Sequence, residues 1–94
     1  MARARYNGEI LAESDAVEIV EGNVYFPPGA IRQEFFRDSD RTTVCSWKGT
    51  AHYRTVAVDG AEAPDAAWYY PAPKEKAAHI KDYVAFYPVV EVER

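Results

Sequence analysis

Apolar and polar positions alternate in short runs along this chain, and turn residues interrupt the runs every several positions. That pattern predicts antiparallel strands rather than long helices. Asn7-Gly8 separates Ala4-Arg5-Tyr6 from Glu9–Ala12 and predicts a hairpin turn, because both residues tolerate positive φ. Val17 and Ile19 alternate with Glu18, and Glu21-Gly22-Asn23 turns the chain into a strand Val24-Tyr25-Phe26. Pro27-Pro28 stops that strand by removing ladder donors. One helical turn is expected over Gly29–Glu34, a turn at Asp38-Ser39-Asp40 and a β-branched strand over Thr42–Trp47. Thr50–Val58 is the longest strand and ends at Asp59-Gly60, a second strong hairpin signal. A strand over Ala66–Tyr70 closes at Pro71-Ala72-Pro73. The best helix candidate is Lys74–Lys81, with Pro73 at its first position and Ala77 and Ile80 on one face. Tyr83–Tyr87 and Val89–Val92 return to strand on either side of Pro88. The expected fold class is mainly β: about eight short strands in a small curled antiparallel sheet, barrel-like or tent-like, with one or two short helices.

One register can be argued further. A two-residue Lys48-Gly49 loop would set Cys45 opposite His52, but lysine is a poor choice for its first, positive-φ position. A three-residue loop, Trp47-Lys48-Gly49, places glycine where a left-handed residue is needed. It sets Cys45 opposite Ala51 and Thr43 opposite Tyr53, with Cys45, Ala51 and Tyr53 on one face and His52 on the other.

Length and composition narrow the class. Ninety-four residues (residues 1–94) make one β-rich domain, with 48% hydrophobic and 28% charged residues in ordinary globular proportion. Aromatics reach 14%, seven of them tyrosine, which favours half-buried pleated surfaces. The net charge is −4, and the eleven basic residues are dispersed among fifteen acids, so no nucleic-acid partner is expected. A single cysteine allows no intrachain disulfide, and Met1–Asn7 lacks the apolar core of a signal peptide. No apolar run is long enough to span a membrane, and the expected address is the cytoplasm, as monomer or homodimer.

Candidate chemistry gathers on the Cys45–Tyr53 hairpin. Cys45 is a candidate nucleophile because a thiolate beside Lys48 would be stabilised, although free cysteine is most often a small buried hydrophobe. Lys48 at a hairpin tip could meet an anionic ligand, or be a solvated turn lysine. Trp47, Tyr53, Trp68 and Tyr70, with Phe86 and Tyr87, could line a pocket that stacks on a planar ligand, or pack as core. Asp38 and Asp40 form a D-x-D of the kind that holds metal on a phosphate, but Asx residues occupy turns for their own reasons. One Cys and two His cannot supply a paired zinc motif, so no metal site is assigned, and no cofactor can be named.

Thr43-Val44-Cys45-Ser46-Trp47-Lys48-Gly49-Thr50-Ala51-His52-Tyr53 resembles the T-x-C-P-W-K-G-x-A-x-Y signature of a widespread family of small bacterial domains, the domain of unknown function four-two-seven. Tyr25-Phe26-Pro27-Pro28, Ala67–Pro73 and Tyr83–Tyr87 resemble further blocks in the same order. Ser46 stands where the family has Pro, Gly29 where an acidic residue is usual and Tyr69 where Ser is common. The resemblance implies a curled β fold and raises the weight on Lys48 as a signature loop residue. It also carries the description nucleotidyltransferase-like, for which an acidic domain with one prominent cation is poorly equipped. The leading expectation is a small-molecule-binding domain whose pocket is formed by Cys45, Trp47, Lys48, Tyr53, Trp68 and Tyr70. The alternatives are an enzyme using Cys45 or Lys48, or nucleotidyltransferase-like, and a structural or protein-interaction module.

Overall fold

Three dipeptides set the strand connections in the computed structural model, which describes residues 1–94. Asn7-Gly8 (φ 49° and 85°), Glu21-Gly22 (53° and 80°) and Asp59-Gly60 (47° and 83°) all place both turn residues in the left-handed region. That is the two-residue turn whose twist matches paired strands. They join β1 (Ala2–Tyr6) to β2 (Glu9–Ser14), β3 (Glu18–Val20) to β4 (Asn23–Tyr25), and β6 (Gly49–Val58) to β7 (Ala61–Tyr69). With β5 (Phe36–Cys45), β8 (Val84–Phe86) and β9 (Glu91–Glu93) they form three antiparallel sheets, ordered β2-β1-β9, β3-β4 and β5-β6-β7-β8. The class is mainly β as expected, but the sheets do not close into a barrel.

β6 explains how one four-stranded sheet serves two cores. Successive side chains of a strand point to opposite faces. Gly49, Ala51 and Tyr53 are buried, but beyond Thr55 the buried residues are Val56 and Val58, on the other face. The first face packs with Tyr25 of the β3–β4 hairpin, Tyr70, Ala77, Ile80 and Ala85. The second packs with Ala4, Leu11 and Ala12 of the β1–β2 hairpin and with Phe26, Ala67 and Phe86. The neighbours of β6 break register around this crossover, between Asp38 and Thr42 on one side and between Ala63 and Ala67 on the other. Bulges bend a strand and increase its twist, which suits a sheet covered on opposite faces at its two halves.

Several boundaries differ from the sequence reading, each for a local reason. Asp38-Ser39-Asp40 is not a turn but the irregular centre of β5, where the Ser39 hydroxyl donates to Asp65 of β7. β7 begins at Ala61 instead of Ala66, running through Pro64, which is tolerated because it sits at the bulge and is exposed. The expected helix over Lys74–Lys81 is a 3-10 helix, Glu75–Ile80, with Pro73 outside it and Lys74 extended. Its buried pair Ala77 and Ile80 is spaced three apart, the period that a 3-10 helix aligns on one side. The Gly29–Glu34 turn is two 3-10 turns, Pro28–Ala30 and Gln33–Phe35, separated by a bridge from Ile31 to Ala12.

The β5–β6 connection has three residues, but they are Ser46, Trp47 and Lys48, so that Cys45 pairs with Gly49 and Thr43 with Ala51. The expected register is therefore displaced by two residues on β6. An even displacement keeps the faces, and Cys45, Ala51 and Tyr53 remain together opposite His52. Gly49 adopts φ 115° as the first residue of β6, and a Cβ there would lie 3.3 Å from the Ala72 carbonyl oxygen. The tip thus docks against the Pro71–Lys74 segment, and the Lys74 amide donates to the Lys48 carbonyl at 2.9 Å. Gly49→Ala should lower the unfolding free energy by about 1–3 kcal/mol through backbone strain and this contact. Gly29→Ala, at ordinary φ with open space around it, should be neutral or slightly stabilising. Urea denaturation of the two variants checks both outcomes.

Candidate functional site

Docking the hairpin tip carries Lys48 inward. Its side chain is 8% exposed, and its ammonium donates a hydrogen bond to the Glu21 carboxylate, which is 51% exposed at the tip of the β3–β4 hairpin. Nζ lies 5.5 Å from the ring centroids of both Trp47 and Tyr70, within cation–π range. Behind them the fully buried Tyr25 meets Trp68 edge-on at 6.3 Å, and the Trp68 indole N–H donates to the Tyr25 hydroxyl at 3.1 Å. Every buried side-chain polar atom has a partner, so this cluster is a satisfied network rather than an open polar hole.

Charge follows from this arrangement. Burial alone would favour a neutral Lys48, but the hydrogen bond to Glu21, the phenols of Tyr25 and Tyr70 and the Glu21 charge outweigh it, and the amine is held protonated above its usual range. The same hydrogen bond and the Lys48 charge hold Glu21 below the ordinary carboxylate range. Burial pushes the Tyr70 phenol up, and the neighbouring ammonium only partly offsets it. A lysine nucleophile must be neutral; Lys48 is arranged as a fixed cation.

The other residues singled out in the sequence fall into place around this cluster. Cys45 is half-buried and packs with Trp47 and Trp68 against the Tyr25, Tyr53 and Tyr70 core. His52 is on the opposite face of β6, with its ring 5.9 Å from Tyr69, and cannot serve as a base for Cys45. The Tyr53 hydroxyl shares a 2.8 Å hydrogen bond with Thr43, its ring lies 4.7 Å from the Arg41 guanidinium and stacks with Tyr87 at 6.3 Å. The hydrogen bond to Tyr53, then burial, raises the Tyr87 phenol. Asp38 is 91% exposed and lies 3.4 Å from Arg54.

Trp68 has a second neighbourhood. Its ring is 4.8 Å from that of Tyr87, tilted by 57°, and the two help line a groove of about 390 Å³ with Asn23, Val24, Phe86 and Glu91. Of the residues expected to line one pocket, Trp68, Phe86 and Tyr87 line this groove; Cys45, Trp47, Lys48 and Tyr70 pack together beside it and Tyr53 stacks under Tyr87. Sequence reasoning did not find Glu21. Its local signal was that of a turn residue, and nothing in the spacing ties it to a lysine 27 positions away.

The ion pair makes stability depend on pH with a definite sign. A depressed carboxylate contributes stability that is present above its unfolded value, near 4.5 for Glu21, and lost as pH falls through the lower folded value. Glu21→Gln should therefore melt below the unmodified protein at pH 7, and the gap should close as pH is lowered from about 5 to 3. Melting temperatures measured across that window check the convergence.

No protein of curated function matches the chain. A family model described as a domain of unknown function (DUF427) matches residues 1–94, the whole of the sheet, cluster and groove just described. The chain belongs to the DUF427 family.

Proposed function

We propose that this domain binds a small planar molecule in the groove between the β3–β4 hairpin and the strands β8 and β9. The observation that carries the reading is the Trp68–Tyr87 pair at 4.8 Å beside a groove of about 390 Å³. Ligand sites are clefts of roughly 300–1,000 Å³, mostly apolar, with a few polar groups to fix orientation. Here Phe86, Val24 and Val90 supply apolar wall, and Asn23 and Glu91 supply polar groups. Tyr87, 38% exposed, is an aromatic left partly uncovered where a ring could stack on it.

The groove favours binding over covalent chemistry. Lys48 is protonated and engaged by Glu21, and the imidazole of the same hairpin, His52, is on the far face of the strand from Cys45. Nucleotidyl transfer gains no support from the charges either. A triphosphate carries roughly four negative charges that need positioned cations, whereas the domain itself is at −4 and Lys48 is already neutralised.

Screening planar heteroaromatic fragments by amide and indole chemical-shift mapping tests the reading. Binders should perturb Trp68, Tyr87 and Val90 together. Tyr87→Ala should weaken them about tenfold, ~1.4 kcal/mol of lost stacking. Binders whose shifts avoid the groove, or whose affinity is the same in Tyr87→Ala, would contradict it.

A further inference from the structure

The two members of the Lys48–Glu21 pair are held very differently. Lys48 is embedded: its stem is buried, its carbonyl is tied to the Lys74 amide at 2.9 Å, and Trp47 and Tyr70 wall its ammonium at 5.5 Å each. Glu21 comes in from the periphery. It sits at the tip of a hairpin whose strands are three residues each, bridged to β8 at its base, where Phe26 pairs with Val84. Its backbone occupies the left-handed region at φ 53°, and half of its side chain faces water. Removing this carboxylate would leave a fixed, desolvated cation in an aromatic frame, open on the side from which Glu21 arrived. Such a frame strengthens an anion contact because little water competes for the charge.

We infer that Lys48 is the recognition group of a binding site for a monocarboxylate, and that Glu21 is its internal occupant, displaced when such a ligand enters. The class of ligand follows from the occupant and the charge count. The group now seated on Lys48 is a carboxylate, with a single charge facing a single cation. A polyanion would have one cation to meet and a domain of net charge −4 to approach. The partly exposed Trp47 ring favours a carboxylate borne on an apolar or aryl body. Glu21 can be exchanged at modest cost because the incoming carboxylate keeps Lys48 paired and the Glu21 side chain is already half hydrated, and it competes at the high effective concentration of a tethered group. The site is separate from the groove, whose lining includes none of Lys48, Trp47 and Tyr70.

Benzoate and acetate test the assignment, with benzamide as the uncharged isostere and chloride at matched ionic strength. Removing the tethered competitor in Glu21→Ala or Glu21→Gln should let benzoate raise the melting temperature saturably, at concentrations at least about tenfold lower than the unmodified protein requires. Benzamide and chloride should not reproduce the effect, and Glu21→Ala combined with Lys48→Met should abolish it. The proposal is overturned if benzoate acts no better than benzamide or chloride, or if the variants respond like the unmodified protein. It also falls if neither variant folds, because a displaceable occupant cannot be indispensable to the fold. Benzoate binding that survives Lys48→Met and is lost in Tyr87→Ala would assign it to the groove and likewise refute the Lys48 site, whereas fragment binding in the groove can fail without touching it.

Discussion

A buried positive charge at the tip of the β5–β6 hairpin is the constraint around which one half of this domain is arranged. Taking an ammonium out of water is costly unless it is paired and hydrogen-bonded. Lys48 meets that requirement with groups from several parts of the chain: Glu21 from the β3–β4 hairpin, Trp47 beside it and Tyr70 just beyond β7. The carboxylate can reach it because Glu21-Gly22 forms a tight turn, and the tip can bend inward because Gly49 admits the Ala72 carbonyl. Breaking such a pair costs more than its net contribution, since the partner is left charged and buried. The aromatic cluster is thus specified by a charge as well as by packing.

The other half of the domain rests on the change of buried face along β6. Ala51 and Tyr53 serve the cluster beside Lys48, and Val56 and Val58 serve the larger core under the β1–β2 hairpin. Trp68 stands next to Tyr53 across the strand pair, ties to Tyr25 by its indole N–H and turns its ring toward Tyr87. The groove therefore borders the charged cluster through one side chain, and Gly22, Asn23 and Val24 of the hairpin that carries Glu21 form part of its wall.

Much of this was legible in the chain where the governing physics is local. Asn7-Gly8 and Asp59-Gly60 announce their turns because few residues accept positive φ twice in succession. Alternation placed Cys45, Ala51 and Tyr53 on one face even though the register was displaced by two, since parity survives an even shift. The missed features are non-local. The strand expected from Ala66 begins at Ala61, and only a bulge opposite Thr55 lets it run through Pro64. The pocket drawn from Cys45, Trp47, Lys48, Tyr53, Trp68 and Tyr70 treated Lys48 as unpaired, and no pattern in the sequence identifies the carboxylate that meets it. Once that carboxylate is in place the lysine belongs to a packed cluster, and open volume lies on the other side of Trp68.

The charge state of Lys48 is the point on which the account turns. Following the side-chain Cε resonances of isotope-labelled lysines by NMR through the alkaline range measures it directly. The account predicts that the Lys48 resonance stays in its ammonium position beyond the ordinary lysine range, because Glu21 and the neighbouring phenols outweigh burial, up to the pH at which the fold is lost. A Lys48 signal that titrates within or below that ordinary range, in the folded protein, would contradict it.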